Sequence, residues 1–260
     1  MRRLIRALGM AGAILVASVV GLGCVLTHRL PDAAPGSEAL ERAARIEAAV
    51  GLDAWNELSA VSFVFAGRNH HLWDRQRGLH RVEYGRHVVM YALESRRGRA
   101  WKNGKELHAE ALDAALERAW SMWCNDTFWL YPFDKLRDPG VTLGAVDLAD
   151  GSQGLLVHYG QGGVTPGDSY LWIIDADGLP IAWRMWVSVV PIPGLEASWE
   201  GWRDLPGGAR VPTLHRLGPL ALKVTKLKVG RSLSDVVQGA DPFADILAAS
   251  PTREWATGPE

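Results

Sequence analysis

Along most of this chain apolar and polar residues alternate with period two, the signature of half-buried strands; helical spacing of three to four is confined to a few stretches. The first helical stretch follows Ser37, a residue type that caps helices. Leu40, Ala43, Ile46 and Val50 predict its buried face, and Gly51 its end. Alternation then sets in. Val61, Phe63 and Phe65 oppose Ser62, Val64 and Ala66, and His71 and Trp73 lead to a turn at Arg77-Gly78. His80, Val82 and Tyr84 follow, then a turn at Gly85-Arg86 and a strand carrying Val88, Met90 and Ala92. The segment Ala100 to Glu106 is interrupted by Asn103-Gly104, a pair that tolerates the positive φ angles of a tight hairpin. Consecutive strands joined by such turns predict an antiparallel meander.

Helical spacing returns from about Ala109 to Trp123. Leu112, Leu116, Trp120 and Trp123 share one face, and Glu110, Asp113 and Glu117 take the other. The rhythm is lost in the aromatic stretch Asn125 to Pro132, which reads as a loop packed over something apolar. Alternation resumes near Val141 and runs through Leu155, Val157, Tyr159 and Tyr170, Trp172, Ile174. After Asp177-Gly178 it places Ile181, Trp183, Met185, Val187 and Val189 on one face. Further strands fall within Leu195 to Trp202, Arg210 to Leu217 and Leu220 to Gly230. In the last of these the apolar parity flips near Thr225-Lys226, which predicts a β-bulge. Asp241-Pro242 predicts the start of a short terminal helix. The pattern adds up to a mainly β (α+β) domain: one curved antiparallel sheet or half-barrel of about 10–11 strands. A sheet of that size curls. The mid-chain helix would lie on its concave face, with an entry helix before it.

The N-terminus has a different pattern. Arg2, Arg3 and Arg6 precede an uncharged run from Ala7 to Leu26, and about 20 apolar residues is the length that spans a bilayer. Residues 1–30 therefore form a membrane anchor or signal segment, with residues 4–26 meeting the membrane. Residues 31–36 read as a linker, 37–249 as the folded domain and 250–260 as a frayed tail. Cys24, preceded by Gly23, is a candidate for lipidation. A retained anchor, a lipidated cysteine and plain secretion stay open, and all three place the rest of the chain outside the cytoplasm, facing a periplasm or the exterior.

Composition narrows the chemistry. A formal net charge of -1 leaves no basic face for nucleic acid. With only two cysteines, one of them in the leader, a disulfide framework is excluded. Cys124 beside Trp123 reads as a small buried hydrophobe. No Gly-x-Ser-x-Gly elbow, phosphate-binding Gly-Lys loop or His-Glu-x-x-His helix is present, so no catalytic residue, metal site or cofactor is assigned. His70 and His71 point to opposite faces of a strand, which leaves His70 with Asp74, too few ligands for structural zinc. His80, His108, His158 and His215 show no usable spacing. Arg75, Arg77, Arg81 and Arg86 read as a solvated rim, with lipid or phosphate headgroups as the alternative.

The outlying number is 12 Trp. Leu112, Leu116, Trp120, Trp123, Phe128, Trp129, Trp172, Trp183 and Met185 are the candidate lining of an apolar cavity, and simple core filling is the alternative reading of the same residues.

The order of elements, with the segment Tyr170-Leu171-Trp172-Ile173-Ile174-Asp175-Ala176-Asp177-Gly178-Leu179-Pro180, resembles the periplasmic lipoprotein carriers and receptors of the LolA/LolB type. The Trp-rich segment Asn125-Asp126-Thr127-Phe128-Trp129 points towards uncharacterised bacterial envelope proteins of that fold. The resemblance implies an incomplete barrel around an apolar cavity lidded by helices. It makes a lipid or lipoprotein acyl chain the expected ligand, with envelope proteins as further partners. The competing expectation is a non-catalytic scaffold whose aromatic face binds protein.

Overall fold

Why the chain builds two separate sheets is best seen from the helices that lie between them. The computed structural model describes residues 27–248. The anchor segment, Cys24 and the tail from 249 onward lie outside the described residues. Helix α1 (Ser37–Ala49) buries Ala39, Ala43 and Ile46, and Val50 follows as its cap. Leu40, expected inside, is 52 % exposed: spacings of four, three and four from Ala39 hold the stripe inward better than three, three and four from Leu40. Gly36, and not Ser37, takes the N-cap position. Gly51 ends the helix with φ 65°, and a Cβ there would meet the Gly208 carbonyl oxygen at 2.3 Å. A second short helix, α2 (Leu52–Asn56), buries Trp55.

The meander is present as expected. Strands β1 (Ala60–Phe65), β2 (Asn69–Asp74), β3 (Leu79–Tyr84), β4 (His87–Ala92), β5 (Gly98–Lys102) and β6 (Lys105–Glu106) pair in sequence order, all antiparallel. Asn103 and Gly104 adopt φ of 52° and 75° between β5 and β6, the hairpin geometry their types permit.

The mid-chain helix follows. Helix α3 runs from Ala109 to Leu130, so the stretch from Asn125, expected as a loop, is helical for six more residues. Polar residues there are bonded rather than helix-breaking. Asp126 turns inward to partners on the sheet, and Thr127 Oγ1 donates to the Trp123 carbonyl at 2.6 Å. Pro132 lies two residues past the end.

A second sheet is built from β7 (Val141–Asp147), β8 (Gln153–Tyr159), β9 (Ser169–Ile174), β10 (Pro180–Trp186) and β11 (Leu195–Ser198), again antiparallel neighbour to neighbour. At the β9–β10 turn Asp175 Oδ1 accepts from the backbone N–H of Asp177 (3.0 Å) and of Leu179 (2.8 Å), while Gly178 supplies φ 88°. A two-stranded pair, β12 (Arg203–Asp204) and β13 (Arg210–Val211), precedes β14 (Leu214–Leu217) and β15 (Leu220–Gly230). β15 returns to pair with β1, which gives the eight-stranded order β14-β15-β1-β2-β3-β4-β5-β6. The predicted bulge is there: the register slips between Ser62↔Lys228 and Val64↔Thr225, and Lys226 sits at φ 52°. The chain ends its described part in α4 (Ala244–Ala248), close to the predicted terminal helix.

The fold is mainly β, antiparallel and open, as the alternation predicts. Its strands are divided between a large curved sheet, a five-stranded one and the β12–β13 pair. The bridge Glu200↔Leu214, with the Arg216 backbone N–H donating to Ser198 Oγ at 3.0 Å, ties the edge of the second sheet to the edge of the first. The segment expected as a linker lies on the second sheet: Ala34 pairs with Ala145, and a Cβ on Gly144 would meet Ala33 at 2.4 Å. Arg42, buried on α1, donates to the carbonyls of Val146 (2.6 Å) and Gly154 (2.9 Å), binding the entry helix to β7 and β8. Charged groups at such depth are rare unless paired; Asp147 (2.6 Å) and Glu38 complete the guanidinium's partners.

Candidate functional site

Helix α3 bridges both sheets, and its two ends meet different surroundings. Its N-terminal half packs Ala115 and Ala119, flanked by Leu112, Leu116, Trp120 and Met122, on Val82, Val89, Tyr91 and Ala100 of the first sheet. Its C-terminal end places Trp129 and Leu130 in the main core with Trp172, Trp183, Met185 and Trp199.

The nine cavity candidates therefore fall into two groups. Leu112, Leu116, Trp120 and Trp123 lie half-buried over the first sheet. Trp120 and Trp123 stack at 5.1 Å, and the Arg96 guanidinium lies 4.2 Å over the Trp120 ring. Phe128, Trp129, Trp172, Trp183 and Met185 belong to the second group, around Trp183. That ring lies 4.8 Å from Trp129, 4.8 Å from Trp199, 4.9 Å from Tyr170 and 5.5 Å from Phe128. Edge-on and tilted contacts at such distances are the favourable aromatic geometries. Phe133 extends the group, 5.0 Å from Trp172 and 5.2 Å from Trp199.

This aromatic group is incompletely satisfied. Trp172, Trp183 and Trp199 are at most 3 % exposed, and their indole N–H donors have no acceptor among the described residues. The hydroxyl of half-buried Tyr159 is also shielded without a partner among the described residues, and burial pushes its ionisation well above the usual range. His215 lies between Trp129 (5.0 Å) and Trp199 (4.9 Å), its Nδ1–H donating to the Ser198 carbonyl at 3.1 Å. Burial lowers its pKa to about 4, so it is neutral at pH 7.

Between the two groups a polar chain crosses from α3 into the first sheet. Asp126 Oδ2 accepts from Asn69 Nδ2 (2.7 Å) and from His71 Nε2 (2.8 Å), and its Oδ1 accepts from Asn125 Nδ2 (2.7 Å). His71 Nδ1 is 3.0 Å from His80 Nε2, and His80 Nδ1 is 3.1 Å from the Tyr91 hydroxyl. A carboxylate only accepts, so His71 donates to it from Nε2. The His71–His80 and His80–Tyr91 bonds take their direction from the imidazole tautomers. Burial, with the neighbouring His71 adding to it, holds His80 well below the ordinary imidazole range and keeps it neutral. Burial likewise raises the Tyr91 phenol. Phe63 stacks on His71 at 4.6 Å, and Tyr91 and His80 are fully buried, so this relay presents no end to solvent. It pins the helix to the sheet.

Sequence reasoning missed this chain. On the sequence alone His71 has no partner, because its strand neighbour His70 faces the other way, and His80 has no usable spacing. The meander supplies that spacing: β2 and β3 pair His71 with Val82 and Trp73 with His80, so the two imidazoles are diagonal neighbours on one face. The signal available was two inward-parity histidines across a tight hairpin. The other candidates settle as surface or structural groups. Asp74 is buried and accepts from the Arg77 backbone N–H (3.0 Å) and Nε (2.7 Å), while His70 is exposed. Arg75 stacks on Trp55 and Trp73, Arg77 also pairs with Asp241, and Arg81 pairs with Glu83. Burial pushes the Cys124 thiol up to about 12, far from a nucleophile's range. Among the described residues no three His, Cys, Asp or Glu side chains converge as a metal site. An open groove of about 330 Å³ lies elsewhere, between α1 and β7, lined by Ala39, Leu40, Leu136, Val141 and Leu143 with Arg137 and Asp138 at its rim. It includes none of the nine candidates.

No family model matches the chain. No curated protein matches it either. Among solved structures it is similar to the crystal structure of a DUF1329 family protein from Desulfovibrio piger, at 10% sequence identity and a TM-score of 0.32, over 79% of this chain and 99% of that one. A likeness of that grade carries no argument about fold or function, and the chain's function is read from its own residues.

Proposed function

We propose that this is a membrane-tethered envelope protein that binds a lipid or lipoprotein acyl group non-covalently in the aromatic region between α3 and the second sheet. The observation that carries this reading is the set of buried indole donors on Trp172, Trp183 and Trp199 that find no acceptor among the described residues. An unpaired buried donor costs about 1–3 kcal/mol, so a ligand oxygen reaching it regains a penalty that apolar packing cannot. An acyl ester offers both halves of the match: carbonyl oxygens for the indoles, and methylenes worth roughly 0.8 kcal/mol each when buried against Phe128, Tyr170 and Trp183. The uncharged run before Leu26 supplies the tether. Among the described residues no helix is long and apolar enough to cross a membrane.

A protein-interaction module is the second reading. It is favoured by how completely Trp172, Trp183, Phe133 and Leu155 are already buried. The two separate in one experiment. Protein beginning no later than Thr27, because His28 and Ala34 are hydrogen-bonded into the fold, is purified from a bacterial envelope, analysed by native mass spectrometry, and titrated with a fluorescent fatty acid. Co-purified lipid, or saturable energy transfer from Trp that Trp183→Phe weakens and Trp120→Ala leaves in place, supports the acyl site. Empty protein without saturable transfer removes it and leaves the interaction module.

A further inference from the structure

Two loops at one end of the second sheet contain no charged residue, while the segment entering β7 beside them exposes Arg137 and Asp138. The β8–β9 loop, from Gly160 to Gly167, reads Gly-Gln-Gly-Gly-Val-Thr-Pro-Gly, and the β10–β11 connection from Val187 to Leu195 reads Val-Ser-Val-Val-Pro-Ile-Pro-Gly-Leu. Antiparallel pairing of β8 with β9 and β9 with β10 puts both loops at the same end. They are held together there: buried Asp168 accepts from the Ser188 backbone N–H at 3.0 Å. Each loop carries an aliphatic side chain into solvent, Val164 at 46 % exposure and Val189 at 73 %. Apolar side chains presented together on charge-free loops form a surface that water covers poorly.

The chain enters the described structure at this same place. His28 donates its backbone N–H to the Pro193 carbonyl at 3.0 Å, and Trp186 Nε1 donates to the His28 carbonyl at 3.0 Å. The approach is close enough that a Cβ on Gly194 would meet His28 Cβ at 2.7 Å. The apolar run ending at Leu26 therefore stops two residues before a backbone fixed to the β10–β11 loop. Leu30, two residues further on, is 51 % exposed.

We propose that this end of the second sheet, with Val164, Val189 and Leu30 foremost, rests on the lipid bilayer that receives the leader. The proposal relies on the tether in the function proposed above and not on the acyl site. A leader leaving from a fixed point holds the nearest surface close to the headgroups, and here exposed aliphatic side chains stand beside exposed Arg29 and Arg137, apolar groups for the acyl boundary and cations for the headgroups. Two hydrogen bonds and a glycine contact orient it, so the domain docks in one pose instead of swinging on a free linker.

The test uses the full chain reconstituted in vesicles of phosphatidylethanolamine and phosphatidylglycerol, with the photo-crosslinker p-benzoylphenylalanine placed in turn at Leu15, Val164, Val189 and Ile181. Ile181, 45 % exposed at the opposite end of β10, is the matched control. Lipid adducts at positions 164 and 189 roughly fivefold or more above position 181 sustain the proposal. Adduct at 15 with 164 and 189 no higher than 181 overturns it and leaves the tether standing. No adduct at 15, 164 or 189 overturns both.

Discussion

The two sides of α3 handle buried polarity differently, although Trp123 over the first sheet also buries an indole N–H that meets no acceptor among the described residues. Facing the first sheet, Asp126, His71, His80 and Tyr91 form an unbroken chain in which each imidazole uses both nitrogens and the carboxylate closes the end. Facing the second sheet, Trp172, Trp183 and Trp199 bury three donors that meet no acceptor among the described residues. A satisfied network in a low-dielectric interior rigidifies and fixes one arrangement, whereas an unsatisfied one is a reservoir of unfavourable free energy. The difference teaches where the molecule can change. The relay makes the middle of the helix a fixed point, and the aromatic side has something to gain from an incoming oxygen.

Removing the fixed point gives the largest effect. Asp126→Ala strands the His71 Nε2–H and the Asn69 amide in a buried site, and unfolding in urea is expected to show a loss of about 3–5 kcal/mol. Trp183 fluorescence partners on the far side of the helix should lose their native spectrum in the same transition. A loss below about 1 kcal/mol would mean that the relay does not fix the helix.

The second effect is on pH dependence and compares one histidine from each side. His80 and His215 both have folded pKa values below the unfolded value near 6.5, so the unfolded chain binds the extra protons. Stability is then fully present above about pH 6.5 and falls as acid takes the solution down towards the folded values. For His215, lowered to about 4 by burial, the loss accumulates over that interval to about 3 kcal/mol. Urea midpoints measured from pH 7.5 to 5 should fall, and His215→Gln should flatten the slope. An unchanged slope would show that His215 is solvated or charged when folded.

The strand pattern was readable because each sheet has one buried face, so period two survives in the sequence. Even the bulge at Lys226 left its mark as a parity flip. The split into two sheets was not readable. The break falls between β6 and β7, where α3 intervenes, and which later strands rejoin the first sheet is a pairing of residues far apart in sequence, β15 with β1, for which alternation has no signal. The end of α3 was misread for a related reason. A buried Asp126 continues the helix's inward stripe with a polar residue, so a hydrophobic template breaks at the position the relay needs. Of the nine cavity candidates, parity identified five that meet around Trp183 and four that sit over the first sheet; one-dimensional spacing cannot tell which sheet a helical face will find. His71 and His80 needed the register of β2 and β3, which the hairpin length alone leaves open.

Two conservative changes complete the comparison, one on each side. Tyr91→Phe removes only the hydroxyl bonded to His80 Nδ1, leaving a buried ring nitrogen unpaired, and is expected to cost about 1–2 kcal/mol in urea unfolding. Trp199→Phe removes an unpaired donor together with part of a ring. The lost area and the space it leaves oppose the relief of burying one fewer unsatisfied N–H, which is worth about 1–3 kcal/mol. The two contributions have opposite sign and similar size, so the net change in the unliganded protein is expected to stay within about 1 kcal/mol. The same substitution takes away a donor that an acyl carbonyl would use, so binding of the fluorescent fatty acid is expected to weaken roughly tenfold, the equivalent of about 1.4 kcal/mol. Stability near wild type with weakened binding marks the Trp199 N–H as a group held for a ligand. A loss of several kcal/mol with binding unchanged makes it a packing ring, and the two faces of α3 then differ in chemistry but not in role.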